Sequence, residues 1–180
     1  YSVLLTRKAE QMNVDSVNSL LLEMNELGMR PSDNACGVLI RFCVKRGQPE
    51  DALNIAKMVR DAGGVVIFAN MISIIHSFNA NKMSHRNMEV LQIIRTMYPD
   101  LRIDIITYHI ILCGLIRDGN YLQAIELVKQ MVGDGFMLSK DISNDLMKGL
   151  ASHSNDPEMK NKLIEIIQNP EAFGIRQEVW

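Results

Sequence analysis

The side chains able to do chemistry are few and scattered. Four histidines, His76, His85, His109 and His153, stand far apart, with no i, i+4 pair and no carboxylate-rich motif beside them. A zinc site or a general base needs such neighbours, so these spacings favour surface or satisfied histidines. Cys36, Cys43 and Cys113 form an odd set with no Cys-x-x-Cys spacing. Structural zinc and a disulfide framework are disfavoured, and three free thiols shielded in a core within a reducing compartment are expected. Cys36 and Cys43 lie seven residues apart, one helical face, as two small buried apolar groups would. Gly63-Gly64 closes an apolar stretch rather than opening a helix after a strand, so it does not make a phosphate loop. No Ser/His/Asp or Cys/His set can be assembled. The expectation is a protein without catalytic residues, metal or cofactor.

The elements that carry these residues repeat. An adjacent aliphatic pair recurs as Leu4-Leu5, Leu39-Ile40, Ile74-Ile75, Ile111-Leu112 and Leu146-Met147, at steps of 35, 35, 37 and 35 residues. Behind each of the first four pairs comes an apolar set at i, i+3, i+4 and i+7: Val17, Leu20, Leu21, Met24; Ala52, Ile55, Ala56, Val59; Val90, Ile93, Ile94, Met97; Ala124, Leu127, Val128, Met131. That spacing paints one stripe along a helix. Each period is therefore a helix, a turn and a second amphipathic helix. Gly47 and Gly119 fall between the two helices, and Gly28, Gly63 and Gly135 close second helices, as helix C-termini favour. The third period departs, with about three extra residues in the segment Asn79 to His85 and Pro99 in place of the closing glycine. The fifth is offset by one at Leu163, Ile164 and Ile167, and Pro157 is expected to open its second helix.

Composition agrees with stacked helices. Apolar residues make up 47% of the 180, but aromatics only 6%, and twelve of the apolar residues are Met. The net charge is −2 and the pI about 6.1, so no global basic field draws the chain to nucleic acid. No apolar run reaches the ~18 residues of a membrane span.

The run ITYHIILCGLIRDGNYLQAIELVKQM, from Ile106 to Met131, resembles the pentatricopeptide repeat (PPR) over its whole length, and LLLEMNELGMRP, from Leu20 to Pro31, resembles its second half. The tetratricopeptide repeat has a similar period but an aromatic signature that is absent here. The resemblance covers Tyr1 to about Phe173 and implies an all-α, right-handed α-solenoid of about five helix–turn–helix PPR-like repeats. The units fall at 1–32, 33–67, 68–104, 105–139 and 140–175. Tyr1 falls inside the first helix of its unit, so further repeats of the same chain are expected before it.

Members of that family bind single-stranded RNA at about one base per repeat. By resemblance, the fifth and last residues of a unit discriminate bases and the second wedges between them. The fifth positions are then Ser2, Gly37, Ile72, His109 and Asn144. The unit ends are Ser32, Ile67, Asp104, Ser139 and Gly174. The wedge positions are Asn34, Ala69, Ile106 and Asp141, of which only Ile106 fits. Gly37, Ile67 and Ile72 supply no directed side-chain hydrogen bond, and only Ser2 with Ser32 comes near a usual pairing. Lys45, Arg46 and Arg117 fall where the family places a cation towards the RNA backbone; they also complement the dipoles of the first helices. The resemblance implies RNA processing, stability or translation in mitochondria or chloroplasts. Its alternative is a protein–protein scaffold within a large ribonucleoprotein such as an organellar ribosome.

Overall fold

The computed structural model describes residues 1–10, 32–61, 63–138, 140–151 and 157–169, with Ser19, Glu23, Met24 and residues 26–29. The stripe residues Val17, Leu20 and Leu21, the predicted stop at Pro31, and Ser139, His153 and Gly174 lie outside these.

All regular structure among the described residues is helical. The elements are α1 (Ser2–Glu10), α2 (Asp33–Lys45), α3 (Pro49–Asp61), α4 (Phe68–Ala80), a 3₁₀ turn (Ser84–Arg86), α5 (Asn87–Met97), α6 (Ile105–Arg117), α7 (Tyr121–Gly133), α8 (Lys140–Ala151) and α9 (Pro157–Gln168). The chain forms two compact units. One holds Tyr1–Asn81 with Glu89–Leu101, the other Lys82–Met88 with Arg102–Trp180.

In the N-terminal unit, α2 packs against α1, α3 and α4, and α3 also packs against α4. The apolar stripe explains this arrangement. Ala52, Ile55, Ala56 and Val59 on α3 are buried, as are Leu39 and Ile40 on α2 and Ile74 and Ile75 on α4. Leu39 and Ile40 fill the seam between their own hairpin and α4. Val90, Ile93, Ile94 and Met97 bury α5 in the same manner, and Lys57 pairs with Glu89 at 2.5 Å between α3 and α5.

In the C-terminal unit, α6 packs on α7, α8 and the 3₁₀ turn, while α9 packs on α7 and α8. Ile111, Leu112, Ala124, Leu127, Val128, Met131, Leu146, Leu163 and Ile167 are buried there. Two members of the aliphatic pairs depart from the expected burial. Leu4 is 44% exposed and Met147 is half-buried, because the elements described around each cover only one side of its helix. Leu5 falls at a side chain outside the description.

The turns follow the glycines. Gly47 and Gly119 each stand two residues past a first helix at positive φ, and Gly28, Gly63 and Gly135 share that conformation. At the equivalent place after α4 stands Lys82, also left-handed at φ 57°. The extra residues after it are pinned rather than loose. Ser84 is fully buried; its N–H donates to Asp118 Oδ2 at 3.1 Å, and its hydroxyl accepts from Asn120 Nδ2 at 3.1 Å. Gln123 Nε2 donates to the His85 carbonyl at 3.3 Å. The insertion thus exchanges glycine's conformational freedom for polar contacts at the start of α7.

Candidate nucleic-acid interface

Packing consumes one side of each first helix and leaves a stripe at the second, fifth, ninth and thirteenth residues of the unit. On α2 these are Asn34, Gly37, Arg41 and Lys45; on α4 they are Ala69, Ile72, His76 and Ala80. On α6 they are Ile106, His109, Cys113 and Arg117, and on α8 Asn144 and Lys148 lie at the corresponding places. Steps of three and four residues keep them on one face. Ile106 is 65% exposed, while Ile72 and His109 are half-buried and Gly37 is covered by its neighbours.

The last residue of a unit has a second duty, because it is the N-cap of the following first helix. Ser32 Oγ accepts from Ala35 N at 3.3 Å at the start of α2, and Asp104 Oδ1 accepts from Thr107 N at 2.7 Å at the start of α6. Ile67 occupies the same position before α4 and has no side-chain cap bond. Short polar residues therefore suit this place for a reason that does not involve RNA. Ser2 and Ser32, the fifth and last residues of one unit, are brought together: the Ser32 N–H donates to Ser2 Oγ at 3.1 Å. Asn144 is exposed on α8. His109 keeps a buried Nε2 with no hydrogen-bond partner among the described residues.

The cations divide by unit. On α2, Arg41 and Lys45 are exposed one turn apart, and neither has a carboxylate partner among the described residues. Arg46 is directed elsewhere: its guanidinium lies 5.8 Å from the Phe42 ring centroid and its Nε donates to Gln48 at 3.2 Å. On α6, Arg117 pairs with Asp118 at 3.3 Å, and the Asp118 side chain is only 6% exposed, which keeps it close. Lys148 pairs with Asp145 at 3.3 Å on α8. The positive character of the stripe is therefore concentrated on α2. Arg41, His76 and Lys148 were not among the residues expected from the sequence. Their signal was present in the i, i+4 step from the fifth position.

Cys113 corrects the expectation that all three thiols are shielded. Cys36 and Cys43 are buried, but Cys113 is exposed because it falls on the outward stripe, one turn from His109, and not on the Ile111-Leu112 side. Burial pushes the Cys43 thiol pKa up to about 11, with Asp51 adding to it. The Cys113 thiol is also raised, first by partial desolvation of its sulfur and then by Asp145, against the pull of Arg117.

Among the described residues no three of His, Cys, Asp and Glu group as a metal ion would require. No helix there is long and apolar enough to cross a membrane.

Comparison with known proteins agrees with this geometry. The PPR repeat family model matches residues 35–63 and 106–136, the hairpins α2–α3 and α6–α7. The crystal structure of the pentatricopeptide repeat protein PPR10 from maize is similar over 97% of this chain and 24% of its own, at 17% identity and a TM-score of 0.58. The crystal structure of PPR10 in complex with an 18-nt psaJ RNA element is similar over 97% of this chain and 25% of its own, at 15% identity and a TM-score of 0.51. This chain thus spans about a quarter of the length of those proteins. No curated protein matches it. Two stretches of the chain match the pentatricopeptide repeat model, and the chain is similar in fold to the α-solenoid of the solved pentatricopeptide repeat protein PPR10.

Proposed function

We propose that this chain is a binding module for single-stranded RNA, one stretch of a longer repeat array with units at 1–32, 33–67, 68–104, 105–139 and 140–175. The observation that carries this reading is the outward stripe of α2, where Arg41 and Lys45 stand exposed one turn apart, without a carboxylate partner among the described residues. Desolvated phosphate oxygens are the natural complement of such a pair, and release of condensed counterions supplies the affinity. One of the similar solved structures, PPR10, holds RNA. The role fits organellar RNA processing, stability or translation in a mitochondrion or chloroplast, exerted by occupancy. A bound array shields RNA or presents it to a partner, and no bond-making step is required of these residues.

The stripe positions set the character of the binding. Gly37, Ile67 and Ile72 offer no directed hydrogen bond, so the contacts position RNA without specifying its sequence. Ile106 and His109 supply apolar and aromatic surface on which any base can stack. The test is titration of the 180-residue chain with several unrelated single-stranded RNAs at low and moderate salt. Weak, salt-dependent and nearly sequence-indifferent binding is expected.

A protein-docking role within a ribonucleoprotein is the second reading. It is favoured by α6 and α8, where Arg117 and Lys148 are each paired with an acid and Ile106 stands exposed. Absence of RNA binding even at low salt would establish it over the first.

A further inference from the structure

We propose that one end of the N-terminal unit, where its second helices stop and its first helices start, is a docking edge for a protein partner. The segment it fits is one in which apolar and basic residues alternate. The proposal stands apart from the RNA-binding reading, since the stripe of α2 plays no part in it.

Exposed apolar residues gather at this end. Leu27 and Met29 precede α2, Val65 and Ile67 lie between α3 and α4, and Leu101 follows the end of α5. Each is between 39% and 58% exposed. At the opposite end, the turn at residues 46–48 and Asn81 present no large apolar side chain to solvent. Single exposed apolar side chains are ordinary on a protein surface, but a contiguous set marks a contact with a partner. Contiguity follows from the packing. Because α2 lies against α4, the turns that start these two helices stand side by side. Tyr98 joins the next two turns. Its hydroxyl donates to the Val66 carbonyl, its ring meets Phe68 edge-on with centroids 6.2 Å apart, and its own carbonyl accepts from the Leu101 N–H at 3.0 Å. Val66 is buried while Val65 and Ile67 are exposed, the alternation of an extended segment with one face outward. The apolar surface is thus held in place before any partner arrives, so docking on it costs little ordering of this chain.

The charge around the apolar row selects the occupant. Glu26, Asp33 and Asp100 are exposed at the same end, and none has a cationic partner among the described residues. Arg60 is held by Asp61 at 2.7 Å, which leaves Arg95 as the other described cation there, against those three acids. RNA would meet repulsion at this edge, and a second copy presenting the same edge would set acid against acid. A protein segment that alternates Lys or Arg with apolar residues answers both features. Its apolar side chains cover Val65, Ile67 and Leu101 while its cations reach the flanking carboxylates.

The test titrates the 180-residue chain with a short synthetic peptide that alternates Lys and Leu, followed by NMR on the methyl groups of Val65, Ile67 and Leu101. These methyls are expected to move saturably, and less as salt is raised. Peptides alternating Glu with Leu, or Lys with Ser, should leave them still at the same concentration. The double variant Val65→Ser, Leu101→Ser should weaken the Lys–Leu peptide by about tenfold or more, and Asp100→Asn by about twofold to fivefold. All three positions are exposed, and circular dichroism should show both variants as helical as the native chain. Poly-U should not displace the peptide.

Still methyls with the Lys–Leu peptide, equal movement with the Glu–Leu peptide, native affinity in both variants, or displacement by poly-U each overturns the docking edge. Shifts that follow the concentration of the chain itself would give the edge to a second copy and overturn it as well. Failure of the chain to bind poly-U at all would end the RNA reading and leave this edge standing.

Discussion

The Ser32 backbone N–H donates to the Ser2 hydroxyl at 3.1 Å across thirty residues of sequence, while the Ser32 hydroxyl turns the other way to cap α2. The residue that closes one unit therefore fastens that unit's first helix and starts the next. This double duty explains why a short polar residue suits the junction, and it makes the exception at Ile67 informative.

Ile67 stands as N-cap of α4, 58% exposed and without a cap bond. Ile67→Asp should stabilise the chain by about 1 kcal/mol, since a carboxylate there accepts from the first turn and meets the helix dipole. Asp104→Ala should cost about the same at α6, where the cap bond exists. Urea denaturation of the two variants checks the pair, and opposite signs are expected.

Lys82 is the only described non-glycine residue at positive φ. A side chain in that region costs roughly 1–2 kcal/mol, and glycine adopts it freely. Lys82→Gly should therefore raise stability by about 0.5–1 kcal/mol after the added freedom of the unfolded chain is counted. The reverse change at the matching position, Gly47→Ala, should lower it by a similar or larger amount. Thermal melts of both variants decide.

Ile111 and Leu112 are fully buried on α6. Truncating either to Ala should cost about 2–4 kcal/mol, the transfer free energy plus the cavity left behind. Truncating Ile106, exposed on the same helix, should change stability by less than about 0.5 kcal/mol. Appreciable sheet content in the circular dichroism spectrum of the native chain would contradict the fold itself.

Thiol labelling should distinguish the three cysteines. Cys113 should react first in the native chain, and Cys36 and Cys43 only after unfolding, because access rather than acidity separates them. The raised Cys113 pKa means that its labelling rate keeps climbing with pH beyond the range of a free thiol. For Cys43 the folded pKa lies above the unfolded one, so the folded state holds its proton more tightly. The associated stability is full below about pH 9 and is lost as pH rises towards about 11. Denaturation midpoints should fall across that window in the native chain and fall less in Cys43→Ala.

Removing Lys45 alone should lower the salt slope of RNA binding by about 0.7, as one phosphate contact does on a single strand. Removing Arg117 should lower it by less, because Asp118 at 3.3 Å already offsets its charge. Replacing Ile72, half-buried and apolar, should leave binding unchanged. Fluorescence anisotropy across a salt series measures all three.

Helical period was legible in the residues because it is local. The spacing of Ala124, Leu127, Val128 and Met131 names the buried face of α7 without any knowledge of its partner, and Gly47 and Gly119 name the turns through their own conformational needs. The same register located the fifth and last residues of each unit. What those side chains do depended on atoms far away in sequence. Cys113 and Leu112 are adjacent, yet one is exposed and the other buried, since only packing between hairpins decides which flank of the stripe is covered. Arg117 reads as a free cation until Asp118, held by Ser84 thirty-four residues earlier, is placed beside it. Gly37 reads as an empty position until α4 lays the Asn70 amide over it. Hydrophobic periodicity is a property of one helix and survives in the sequence. Charge pairing and hydrogen-bond satisfaction are properties of two helices in contact, and they exist only once the chain has folded.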